Sequence, residues 1–207
     1  VKYHVSGQLK VAPEHCSAAV LDKMGKPHIE SYKEFSRRYF EASGQADKEQ
    51  YLVPYLMSSH PGSTLHEAIE LALFLKKEKI RPQQVQDFYP TPGTISTCMF
   101  YTGLDPYTMQ SVYVPRSAEE KKMQRALLQY YKPENWQIIT EALRRAKRTD
   151  LIGDAPGCLI KGEPGAVKNA VKSDKKERQP ASGRKGKHKR AERGHSEGHN
   201  CGGSRGS

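Results

Sequence analysis

Cysteine is scarce and scattered in this 207-residue chain: Cys16, Cys98, Cys158 and Cys201 are the only four, and each stands more than 40 residues from the next. That spacing contains no CxxC pair and indicates neither a disulfide framework nor a zinc ribbon, so a reducing, cytoplasmic setting is expected. Long apolar runs are missing too. None approaches the roughly 20 residues that cross a bilayer, and the amino terminus lacks the charged and apolar regions of a signal peptide, so no membrane partner is expected. Only 36% of the residues are hydrophobic, which leaves part of the chain outside any core. An initiating Met is also lacking. The chain opens VKYHVSGQLKVAP and reads as part of a longer protein.

Basic charge is what the chain has in excess, with a formal net charge of +11. From Lys161 to Ser207 there are 13 Lys and Arg against 5 Asp and Glu, so +8 sits in this tail and residues 1–160 carry +3. The tail is Gly, Lys, Arg, Ser and His with hardly a large apolar residue, and the expectation is a disordered segment that cannot offset the entropy of ordering. Its run GRKGKHKRAERGH at 183–195 could neutralise the phosphates of RNA or DNA. It holds no Phe, Tyr or Trp for base stacking, which favours a solvated, nonspecific tail.

Between the termini, strands and helices alternate. QLKVA at 8–12 reads as a buried strand; Ser17 caps the helix SAAVLDKM, and Gly25 stops it. ESYKEFSRRYFEAS reads as a second helix, with Tyr32, Phe35 and Tyr39 on one face. QYLVPYLM at 50–57 is a second strand, in which Pro54 cannot donate to a ladder. Thr64 and Glu67 form a capping box for a third helix running to about Lys79, and QVQDFYP at 84–90 gives a third strand ending at TPG. The βα, βα, β order argues for parallel strands joined by helical crossovers.

After Thr94 the stretch STCMFYTGLDPYTMQSVYVPR is aromatic, turn-rich and poorly periodic. Two helices follow as a packing appendage. One opens at a Ser117–Glu120 capping box and carries Met123, Leu127 and Leu128; the other spans about 134–148 with Trp136, Ile139 and Leu143. The expected domains are therefore 1–94, 95–160 and the tail 161–207.

Three strand ends carry the polar residues. Pro13, Glu14 and His15 follow the first strand, where a carboxylate and an imidazole could bind a ribose, orient a metal ligand or move a proton, or else simply enter a helix in solvent. SSHPGST at 58–64 can present hydroxyls, backbone N–H groups and an imidazole at a helix amino terminus, or merely turn the chain. Asp87, Tyr89, Thr91 and Thr94 surround TPGT, as a plain turn would also require. Cys16 with His15 and His28, or Cys201 with His195 and His199, has no recognised metal-ligand spacing, and no metal site is expected.

Taken in order, these blocks resemble the second half of the radical S-adenosylmethionine barrel. KVAPEHCSAAVLDKMGK at 10–26 looks like that superfamily's fourth-strand region, SSHPGST its fifth-strand PGxT turn and FYPTPGT its sixth-strand turn. LKVAPEH, VLDKMGKPH, SSHPGST, QVQDFYPTPGT, YTGLDP and KKMQRALLQY together resemble the carboxyl-terminal half of a YgiQ-type protein, over about residues 5–160. The resemblance implies an α/β fold: half of a partial (β/α) barrel with three parallel strands, a helical carboxyl-terminal extension and the basic tail. It implies an enzyme that, when complete, uses a 4Fe–4S cluster to reduce S-adenosylmethionine and start radical chemistry on an unknown substrate.

The CxxxCxxC loop that holds such a cluster is not in this sequence. No cluster is therefore expected on this chain alone, and the expected partner is the amino-terminal half of the barrel. By the same resemblance, Glu14 and His15 would serve the ribose side of S-adenosylmethionine, Ser58, Ser59 and His60 the fifth-strand contacts, and Tyr89 and Thr91 the adenine or substrate side. The competing expectation is a noncatalytic binding module whose basic tail touches nucleic acid.

Overall fold

The computed structural model describes residues 1–162. The expected disorder of the basic tail, and the Cys201, His195 and His199 grouping, fall beyond them. Strand β1 (Gln8–Glu14), helices α1 (Ala18–Met24) and α2 (Ile29–Gln45), strand β2 (Tyr51–Ser58), helix α3 (Leu65–Lys77) and strand β3 (Gln86–Asp87) follow the expected alternation. The sheet order is β1-β2-β3, and both pairings are parallel. The helical connection after each of the first two strands returns the chain to the sheet's starting end, as a parallel crossover requires.

Two departures mark the strands. β1 carries an irregularity: Val11 opposes Pro54 but Glu14 opposes Leu56, so β1 has one residue more than β2 across that step. The extra length ends with Glu14 in the left-handed conformation at φ 64°. Pro54 is accommodated because successive residues in a strand aim their polar groups at opposite neighbours. Tyr51 N–H bonds Gly7 O on the β1 side, so Pro54 faces the other edge, where β3 reaches only Met57 and Ser58. The third strand is correspondingly short: the expected 84–90 shrinks to Gln86–Asp87, extended only by Phe88 N–H donating to Ser58 O at 2.8 Å. Pro90 and Pro92, which cannot donate, follow at once.

Helix starts and stops are mostly those written locally. Thr64 N–H bonds Glu67 Oε2 at 2.9 Å and Thr64 Oγ1 accepts from His66 N–H at 3.0 Å, completing the capping box of α3, which ends at Lys77. Gly25 closes α1 at φ 63°. Ser17 precedes α1 but makes no side-chain cap; its N–H is turned to His15 instead. Where poor periodicity had suggested irregular chain, α4 (Ile95–Thr102) forms. Thr94 caps it through Thr97 N–H at 3.2 Å and Gly103 ends it at φ 69°, so its two ends, not a stripe, define it.

Helix α5 (Ala118–Leu128) starts at Ser117, whose Oγ accepts from Glu120 N–H at 3.1 Å. The reciprocal half of that box is missing because the Glu120 carboxylate is taken by the Tyr113 hydroxyl at 2.7 Å. A 3-10 turn at Pro133–Asn135 leads into α6 (Trp136–Arg145), which stops short of the expected 148.

One buried cluster holds these elements together. It joins Leu56 of β2, Ile69, Leu71 and Leu75 of α3, Leu127 of α5 and Leu143 of α6, so the stretches before and after residue 94 share a core. α2 is less covered: Tyr39 is buried, but Phe35 is 43% exposed. Gln8, Lys10 and Ala12, alternate residues of β1, are exposed, which leaves one face of that strand open. Among the described residues no helix is long and apolar enough to cross a membrane.

Candidate functional site

Because β1 and β2 run parallel in register, with Glu14 opposite Leu56, the turns after both strands emerge at the same end of the sheet. β3 reaches that end beside Ser58. His15, Ser58, Ser59 and His60 are therefore gathered there and are all buried; Glu14 is half-buried. Tyr89 lies just beyond β3 with 81% of its surface exposed. Thr91 is exposed, and its carbonyl accepts from Thr94 and Thr97 hydroxyls at the start of α4. A cavity of about 760 Å³ touching Gln8, Lys10, Leu52 and Val53 lies against the amino-terminal halves of the strands, away from this end.

The two histidines have different hydrogen-bonding states. His15 Nδ1 accepts the Ser17 N–H at 3.0 Å, so the neutral ring carries its proton on Nε2 and can donate to a ligand. His60 Nδ1 lies 2.7 Å from the Pro61 carbonyl, which can only accept. The proton is on Nδ1, and Nε2 accepts from the Ser96 hydroxyl at 2.8 Å, so both ring nitrogens of His60 are used. Its ring and that of Phe88 stand edge to face, 78° apart, with ring centres at 5.0 Å.

Burial pushes both imidazoles down to about 4, with the neighbouring Glu67 opposing the shift at His15 and the Pro61 carbonyl opposing it at His60. Near pH 7 both rings are neutral.

Ser59 is the anomaly of the site. It adopts φ 63°, a left-handed conformation unusual outside glycine, and its hydroxyl is buried with no hydrogen-bond partner among the described residues. Its N–H donates to Gln124 Oε1 at 3.0 Å. Next to it, the Ser58 hydroxyl donates to Asp87, which also forms an ion pair with Arg125. On β1, the Glu14 carboxylate lies 3.4 Å from Lys26 Nζ, whose main anchor is the Ala12 carbonyl at 2.8 Å.

The groups left for a ligand are thus the His15 Nε2–H donor, the Ser59 hydroxyl and a Glu14 oxygen. A carboxylate or phosphate at the start of α3 would instead compete with Glu67. Burial raises that group's pKa, but hydrogen bonds from the Thr64 hydroxyl and N–H outweigh it and leave it lowered and ionised.

Sequence reasoning missed Gln124, Arg125, Ser96 and Asp105. Gln124 had left a signal: it stands beside Met123 and one turn before Leu127 and Leu128, a polar residue on the apolar face of α5 that is fully buried. Asp105 left none. Its ion pair with Lys23 at 2.5 Å joins a loop and a helix 82 residues apart. Of the candidate metal ligands, Cys16 is buried and His28 Nε2 lies 2.8 Å from Asp22. Among the described residues no group of three or more His, Cys, Asp or Glu could hold a metal ion.

The chain is similar to several curated proteins. A UPF0313 protein of Clostridium perfringens (strain 13 / Type A) is 54% identical over 190 residues, which are 89% of this chain and 29% of that protein. A UPF0313 protein of Clostridium botulinum (strain 657 / Type Ba4) is 56% identical over 159 residues, 77% of this chain and 25% of that protein. The chain spans under a third of the length of these relatives. No solved structure matches it. Residues 83–206, more than half of the chain, match the family described as Domain of unknown function (DUF3362), and the chain belongs to that family.

Proposed function

We propose that this chain is the carboxyl-terminal part of a YgiQ-type radical S-adenosylmethionine enzyme, with the turns after β1 and β2 forming one side of its S-adenosylmethionine pocket. The observation that carries this reading is the parallel placement of Glu14, His15 and Ser58–His60 at one sheet end, with the buried Ser59 hydroxyl among them lacking a hydrogen-bond partner among the described residues. β1 stands at the end of the strand order and pairs only with β2 among the described residues; that free edge and the much greater length of the UPF0313 relatives, which correspond to the YgiQ-type family, are consistent with further strands completing a barrel. The amino-terminal portion would be the partner, the setting cytoplasmic and the substrate unknown.

The cofactors fit unequally. A 4Fe–4S cluster has no home on the described residues: Cys16 and Cys158 are buried, Cys98 is exposed, and burial pushes the Cys16 thiol up to about 12. The cluster would have to be held by residues outside this segment.

S-adenosylmethionine does suit the donor set. Glu14 offers a carboxylate to ribose hydroxyls, His15 a neutral N–H, and Ser59 a hydroxyl that can donate or accept. The bound cofactor would supply the radical-initiating chemistry; these residues would orient it and keep water from it. Ser58 and His60, already engaged by Asp87 and Ser96, would support the turn. Tyr89 and Thr91 keep their proposed place on the adenine or substrate side.

The test is anaerobic reconstitution of a full-length protein containing these residues, followed by measurement of S-adenosylmethionine binding and of 5′-deoxyadenosine release under reduction. Release that falls in Glu14→Ala and His60→Ala supports the reading. A reconstituted full-length protein that neither binds nor cleaves S-adenosylmethionine overturns it.

A further inference from the structure

The turn 58–63 is held almost residue by residue from the segment that matches the domain of unknown function, residues 83–206. The Ser58 hydroxyl donates to Asp87, and its carbonyl accepts from Phe88 N–H at 2.8 Å. Ser59 N–H donates to Gln124 Oε1 at 3.0 Å. His60 Nε2 accepts from Ser96 at 2.8 Å, and Gly62 N–H donates to the Tyr113 carbonyl at 2.7 Å. The Ser63 hydroxyl donates to Gln124 Oε1 at 3.1 Å, and its carbonyl accepts from Gln124 Nε2 at 2.8 Å. Five residues from four separate places in that segment thus impose the shape of a turn that lies outside it.

We infer that the DUF3362 segment is the template of the ligand-facing turn after β2, with Gln124 as its central positioning residue: it holds Ser59 left-handed and its hydroxyl unspent for a polar group of the ligand. A left-handed serine is disfavoured on its own, and a buried hydroxyl without a partner is destabilising. Gln124 is itself fully buried and uses both ends of its amide, so a site built for packing alone would be served better by an apolar residue. The neighbouring Arg125 fixes Asp87 and through it Ser58, so two successive residues of α5 govern two successive residues of the strand end. The extension is part of the site rather than an addition to it.

That the ligand is S-adenosylmethionine rests on the proposed function; that Gln124 shapes the turn does not. The experiment separates the two. Gln124→Leu, Gln124→Glu and Ser63→Ala are compared with the parent in a full-length protein containing these residues. Amide exchange at Ser59 and Gly62, imidazole ¹⁵N shifts of His60, thermal midpoint and the S-adenosylmethionine Kd are read for each.

Gln124→Leu is expected to speed Ser59 exchange and to raise the Kd by about tenfold or more, the size of one well-made buried hydrogen bond. Gln124→Glu keeps the acceptor for Ser59 N–H and should restore part of both. Ser63→Ala removes one hydrogen bond to Gln124 Oε1, keeps the carbonyl that accepts from Gln124 Nε2, and serves if the leucine variant does not fold. Loss of thermal midpoint in Gln124→Leu with Ser59 exchange, His60 shifts and Kd all unchanged would overturn the template. A parent that binds no S-adenosylmethionine would overturn the proposed function, leaving the exchange and ¹⁵N shifts to decide the role of Gln124.

Discussion

Lys23 Nζ and the Asp105 carboxylate meet at 2.5 Å and tie the 103–112 loop to helix α1. Asp105 also accepts from Tyr107 N–H at 2.9 Å, and the Lys23 stem lies 3.2 Å from where a Cβ on Gly62 would stand. Helix α1, the turn and the loop therefore have one common point of contact.

Gly62→Ala should accordingly be destabilising, because φ is +93° there and the added methyl would press on Lys23. A loss of about 1–2 kcal/mol is expected from urea unfolding. Asp105→Asn, which weakens the ion pair but keeps the acceptor for the loop, should speed amide exchange at Tyr107 and Thr108. Unchanged exchange would mean that the loop is held by its backbone alone.

Acid should loosen the site before the rest of the fold. His15 and His60 are lowered by burial from 6.5 to about 4, so the unfolded chain takes up their protons first as pH falls. Their stabilising effect is complete above about 6.5 and is lost progressively on the way down to about 4. The loss is on the order of a few kcal/mol for each ring. Urea midpoints measured from pH 7.5 to 4.5 should fall, and His15→Gln should flatten part of that slope; a level profile in the parent would contradict the burial of both rings.

Cysteine reactivity should follow exposure. Cys98 is exposed, whereas Cys16 is buried with its thiol pushed up to about 12 by burial and then by Glu70. Limited alkylation followed by peptide mass spectrometry should label Cys98 well ahead of Cys16. Equal labelling would place Cys16 nearer solvent than the fold allows.

The chain on its own should take up no 4Fe–4S cluster under anaerobic reconstitution, since a cluster needs three or four thiolates brought together. Iron and sulfide analysis with absorbance spectroscopy would decide. A stoichiometric cluster that responds to S-adenosylmethionine would show that these cysteines can converge.

Leu127→Ala should reveal the shared core. Leu127 is fully buried among α3, α5 and α6, and its truncation should cost about 2–5 kcal/mol. Phe35→Ala on the less covered face of α2 should cost clearly less. Equal losses would mean that α2 is packed more firmly than its exposure implies.

The alternation of strand and helix and the starts of α3 and α5 were readable in the chain, because each depends on neighbours within a few residues, and the parallel order followed from that alternation by the crossover rule. Thr64 and Glu67 form their box with no help from elsewhere, and Gly25 stops α1 through its own backbone. The clustering of Glu14, His15 and Ser58–His60 followed from one further rule, that parallel strands end on one side. Helix α4 was missed although its ends were marked by Thr94 and Gly103, since a helix only eight residues long showed no clear apolar stripe.

What the tertiary structure alone decided is which of those polar groups remain free. His60 is spent on Pro61 and Ser96, Ser58 on Asp87, and the third strand pairs only with Met57 and Ser58. Gln124 meets Ser59 across 65 residues of chain. Local sequence writes turns and caps because their energies depend on adjacent dihedrals and short hydrogen bonds. The burial of a hydroxyl, the tautomer of an imidazole and the partner of a buried amide depend on groups brought together by folding.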